Sequence, residues 1–202
     1  MALLTANNQS MTAITALPSA VAKGGLVLLE TQTASSSATI SFTSGIDSTY
    51  KEYVFKFIDI HPETDSVEFG FQANAAGGSG YNETITSTWF RAFQSEAGGT
   101  DNGVGYLTSR DQAQATAFQD LTSDLGNAND ETVSGTLHLF NPSSTTFVKH
   151  FLATTNYIYL NDFTVNVYCA VYFNTTSAID EIQFKMNSGD IDAGTFKLYG
   201  VT

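Results

Sequence analysis

From residue 26 onward the chain alternates apolar and polar residues with a period of two, in short runs broken by turn-forming clusters. Such a period places successive side chains on opposite faces of an extended strand, one of them toward a core. SVEFGFQ sets Val67, Phe69 and Phe71 on one face and Ser66, Glu68 and Gln72 on the other. EIQFKMN repeats the pattern with Ile182, Phe184 and Met186, and TFKLYG sets Phe196 and Leu198 against Lys197 and Tyr199. YKEYVFKFIDI is apolar on both faces, with Tyr53, Phe55 and Phe57 against Val54, Ile58 and Ile60, which predicts a central strand covered twice. VNVYCAVYF directs Val165, Val167, Cys169, Val171 and Phe173 inward and Tyr168 and Tyr172 outward.

The breaks are SGIDS, NAAGGSGYN, EAGGTDNG, LGNANDE, NPSST, NTTSA and NSGDIDAG. About ten strands at this spacing predict an all-β, antiparallel two-sheet sandwich over 26–202. Only DQAQATAFQDLTSDLG, residues 111–126, leaves room for a helix. The final GTFKLYGV reads as a strand that zips into a sheet, with Gly194 at the turn before it and Gly200 at a close approach to another backbone. Residues 1–25 differ from all of this: they hold small side chains, no aromatic residue, Pro18 and a Gly24-Gly25 break. They read as an extended N-terminal docking arm.

Charge narrows the partners. Twenty acids against eight bases give a net charge of -12, which opposes nucleic acid, because phosphate neutralisation needs clustered Lys and Arg. No apolar stretch approaches a membrane span, and MALLTANNQSM lacks the basic and apolar regions of a secretory signal. Charged residues are only 14% of the chain, against about 25% in ordinary soluble domains. Low charge suits a surface covered by other subunits, although a Thr-rich β protein would also show it.

Motifs for chemistry are sparse. Ser79 in GGSGY has the wrong glycine spacing for a nucleophile elbow. His61, His138 and His150 form no metal or catalytic pair, and His138 and His150 fall within predicted strands as structural residues. Acids cluster at Asp59, Glu63 and Asp65, at Asp130 and Glu131, and at Asp190 and Asp192; DIDAG lacks the ligand spacing of an EF-hand loop, and a structural cation held by loop carboxylates is the minor reading. Cys169, the single cysteine, reads as a buried inert thiol. The expectation is no catalytic residue, no cofactor and no metal. Tyr157, Tyr159, Tyr168 and Tyr172 are placed on the less apolar faces of their strands. A subunit interface, packing beneath loops, and stacking on a glycan are the three readings, in that order.

SGIDSTYKEYVFKFIDIHPETD, SGTLHLFNPSSTTFVKHF and NTTSAIDEIQFKMNSGDIDAGTFKLYGV resemble β-rich virion proteins of tailed bacteriophages, notably marine and cyanobacterial ones. The last block is the most specific: an I-x-F-x-M strand, an S-G-x-I-x-x-G turn, and a strand ending in L-Y-G. The resemblance implies a jelly-roll-like sandwich assembled on the particle as a homotrimer, with no catalytic residue. It implies a capsid decoration or cement protein, or a short head fibre, whose partner is the major capsid protein. A tail adaptor or a fibre tip recognising host surface glycan is the alternative, less suited to a chain with no long shaft before its sandwich.

Overall fold

A computed structural model describes residues 25–202. The arm expected over 1–25 lies outside the described residues except for Gly25. Eight of the strands form one long antiparallel hairpin that is rolled up. β1 (Leu26–Ser37) pairs with β13 (Ile191–Val201), and β2 (Ile40–Phe42) with β12 (Ile179–Met186). β3 (Glu52–Pro62) pairs with β9 (Val133–Phe140), and β4 (Phe69–Ala75) with β8 (Gln119–Asp120). Rolling brings β13 onto β3 and β12 onto β4. The two resulting sheets, β1-β13-β3-β9 and β2-β12-β4-β8, are those of a jelly roll.

Two insertions enlarge one sheet only. Residues 76–118 supply β5 (Ile85–Ser95), β6 (Asn102–Tyr106) and β7 (Ala113–Ala115). Residues 141–178 supply β10 (Lys149–Tyr159) and β11 (Phe163–Phe173). These strands continue the first sheet beyond β9 in the order β10-β11-β5-β6, with β7 beside β5, giving nine strands against four. We call this extension the wing.

The core follows the alternation in the sequence. Phe184 of the smaller sheet lies among Phe55, Phe57 and Phe196 of the larger one, with ring centroids 5.5, 5.1 and 5.5 Å away. Phe42 and Phe69 complete the cluster. Edge-on and tilted contacts of this kind add to the burial of large apolar rings. Under the wing, Phe151 meets Phe173 at 4.6 Å.

The smaller sheet ends at β8, so another element must cover the wing's inner face. Residues 107–126 do this without a helix, as a single 3-10 turn (Thr108–Arg110), β7, β8 and irregular chain. Leu121 and Leu125 are fully buried there, and Thr155 Oγ1 donates to the Leu121 carbonyl at 2.6 Å. Irregular chain in a core leaves backbone groups to satisfy, which explains the glutamines. Gln72 is buried, contrary to its expected polar face, with Nε2 within 3.2 Å of the carbonyls of Glu83, Thr116 and Ala117.

Three further expectations are corrected. β3 lies between β13 and β9, but Ile58 is exposed; a bulge at Asp59, where φ is 51°, then turns Ile60 back into the core. Gly194 is inside β13 rather than before it, at a second bulge where φ is 126° and a Cβ would stand 2.7 Å from Ile60 Cα. Gly200 makes room for the Tyr50 ring, not for a backbone. No helix among the described residues is long and apolar enough to cross a membrane.

Candidate functional site

β5, β11 and β10 pair without a register break, from Ile85–Phe173–Lys149 at one end to Ser95–Phe163–Tyr159 at the other. Side chains on the wing's outer face therefore stand in straight rows. One row runs Tyr106, Phe90, Tyr168, Thr154; the next runs Thr88, Ala170, Leu152 and on to His138. Phe90 and Tyr168 stack with centroids 5.1 Å apart and planes at 14°. Leu152 and Tyr106 are more than half exposed, and Val104 is 79% exposed. Shallow depressions of about 270 and 250 Å³ flank Leu152, one toward Phe90 and Tyr168, the other toward His150 and Tyr172. No Asp, Glu, Lys or Arg occupies an outward position of β5, β6, β10 or β11. In a chain of net charge -12, that face is set apart.

Only two of the four singled-out tyrosines belong to it. Tyr168 is 45% exposed, and Tyr172 lies beside His150 with its hydroxyl accepting from Gln114 Nε2 at 3.2 Å. Tyr157 and Tyr159 have the opposite parity on β10, shared with Phe151, Ala153 and Thr155, and face inward. Tyr157 is fully buried, its phenol bonded to Ser123, and burial raises its pKa above the ordinary value. NYIYL carries apolar bulk on both faces, so the sequence held no signal for its orientation.

Tyr159 opens onto a different feature. At the end of the wing, between the β5–β6 and β10–β11 turns, a cavity of about 350 Å³ is lined by Arg91, Phe93, Asp101, Tyr159, Asn161 and Phe163. The guanidinium of Arg91 lies 5.2 Å from the centre of the Phe93 ring and 6.0 Å from that of Tyr159. Phe163 closes on both rings at 6.1 and 6.0 Å. The walls are fixed by backbone bonds, Ser95 N to Asp101 O at 3.0 Å and Glu96 N to Asp162 O at 2.9 Å. Sequence reading missed Arg91, Asp101 and Asn161, because three separate segments bring them together.

The remaining titratable groups are structural in their surroundings. His138 Nδ1 lies 2.7 Å from Glu52, and His61 lies 3.5 Å from Asp192. Asp190 donates its backbone N–H to Glu63. Arg110 joins Glu68 at 2.7 Å and Asp120 at 3.0 Å, tying the wing cover to the smaller sheet. Burial raises the Asp120 carboxyl above its ordinary range, opposed by Arg110. The Cys169 thiol is buried, which raises it strongly and leaves it unreactive. Among the described residues no group of three or more His, Cys, Asp or Glu gathers as a metal site.

Comparison with known protein families, characterised proteins and solved structures finds no match to this chain. Its class is therefore defined by its own geometry: a jelly-roll sandwich with a one-sided wing, carrying an uncharged aromatic face and a cavity at the rim.

Proposed function

We propose that the chain is a non-catalytic virion structural protein of a tailed bacteriophage, a capsid decoration or cement protein or short head fibre that binds the particle as a homotrimer. The observation that carries the reading is the outer face of the wing, where Phe90, Leu152, Tyr168, Tyr106 and Val104 stand exposed on strands with no outward charged side chain, and Asp111 accepts from the Tyr106 hydroxyl at the β6 edge. A contiguous apolar patch on a soluble protein marks a contact surface, and depletion of charge with enrichment of aromatics is the composition of interface centres. The resemblance of three sequence blocks to phage virion proteins supplies the context, and the acidic surface elsewhere disfavours nucleic acid.

The test is direct. Purified chain mixed with undecorated heads of the phage that encodes it should co-sediment with them, and imaging of the particle should place threefold density of this size on the shell. Heads that fail to retain the chain, or density confined to the tail, would overturn the reading.

A further inference from the structure

The rim cavity lies apart from the outer face and goes beyond the assembly role. Its lining combines three aromatic rings, Phe93, Tyr159 and Phe163, with an arginine, a carboxylate and an amide. Arg91 forms no ion pair with any described residue; Nη1 donates to Ser123 Oγ at 3.2 Å, and the buried Nε has no acceptor among the described residues. Asp101 and Asn161 are both exposed on the turns that frame the opening. A volume of about 350 Å³ falls at the lower end of small-molecule sites, roughly 300–1,000 Å³.

The lining selects a chemical class. Guanidinium is a pure donor, carboxylate a pure acceptor and amide both, so full pairing demands a ligand with donors and acceptors close together. Aromatic faces demand an apolar surface on the same ligand. Phosphate or another compact anion meets Arg91 but is repelled by Asp101, and an aliphatic ligand leaves all three polar groups unpaired, at a cost. A hexose offers hydroxyls on its edge and C–H groups on its face. We propose that this cavity binds one neutral hexose unit, stacked on the Phe93–Tyr159 side, with its hydroxyls shared among Arg91, Asp101 and Asn161.

The experiment uses the full chain and ligand-observed saturation-transfer NMR with the methyl glycosides of glucose, galactose, mannose and N-acetylglucosamine. Inorganic phosphate and glucuronate serve as counter-probes. At least one neutral glycoside should receive saturation, and its affinity should fall about tenfold in Asp101→Ala and again in Asn161→Ala, the worth of one lost hydrogen bond. Both changes lie on exposed turns, so thermal melts should stay at the parent value. Absence of transfer to every neutral glycoside, an affinity unchanged in either variant, or preference for phosphate or glucuronate would overturn the proposal. Trimer formation and head binding are read separately, so failure here leaves the assembly reading to its own test.

Discussion

The phenol of Tyr157 accepts the Ser123 backbone N–H at 3.0 Å and donates to the Ser123 carbonyl at 2.9 Å, within the core. One side chain on β10 thus satisfies both backbone groups of one residue in the irregular cover. The cover needs such a fastener because it has little regular pairing of its own. Tyr157→Phe should therefore cost about 1–3 kcal/mol, the penalty for leaving buried backbone groups unpaired. Tyr168→Phe should cost under about 0.5 kcal/mol, as exposed changes do. Denaturant unfolding of both variants checks the pair; equal losses would remove the fastener role.

Arg110 links the same cover to the smaller sheet through Glu68 and Asp120. Arg110→Ala leaves a largely buried carboxylate unpaired and should cost on the order of 3 kcal/mol at neutral pH. The pH dependence has a definite sign. The folded Asp120 carboxyl is raised above its ordinary value of 3.8. Its contribution to stability is thus fully present below 3.8 and is lost as pH rises through the folded value. Arg110 opposes that shift, so removing it raises the folded value further. The stability gap between parent and variant should be smallest near pH 3 and widen toward about pH 7, measured by urea midpoints across that range. A gap that narrows with rising pH would contradict this.

The strands were legible where one face is purely apolar. Phe184 and Met186 of β12, Phe196 and Leu198 of β13, and the Val165–Phe173 series of β11 all point inward as their period of two requires. Tyr157 and Tyr159 were not legible, because apolar residues flank them on both sides and parity alone cannot choose a face. Nor was the cover, whose Gln112 and Gln119 serve backbone carbonyls instead of a regular period. The rim cavity was invisible because Arg91 of β5, Asp101 and Asn161 are neighbours only after the β5–β6 and β10–β11 turns meet beside that strand. Strand pairing, set by long-range register, is what turns a predicted sandwich into a jelly roll with a wing.

β13 lies between β1 and β3, so the end of the chain is interior to a sheet. Phe196 packs on Phe57, Phe69 and Phe184, and Phe196→Ala should cost about 3–5 kcal/mol. Lys197→Ala should stay within about 0.5 kcal/mol. Thermal melts that fall equally and slightly would show a frayed terminus instead.

Gly194→Ala combines a positive φ with a Cβ 2.7 Å from Ile60 Cα, a backbone atom that cannot step aside. It should destabilise by more than about 1 kcal/mol. An Ala variant as stable as the parent in denaturant would mean that the bulge is not held as described.

The proposed homotrimer would place the outer face of the wing at the contacts between copies of this chain. Light scattering behind size exclusion, at micromolar concentration, should report about three chains for the parent protein. It should report one chain for the double variant Leu152→Glu/Tyr168→Glu, which puts two carboxylates on the exposed rows without touching the core. A parent that remains monomeric, or a double variant that still elutes as a trimer, would contradict the account.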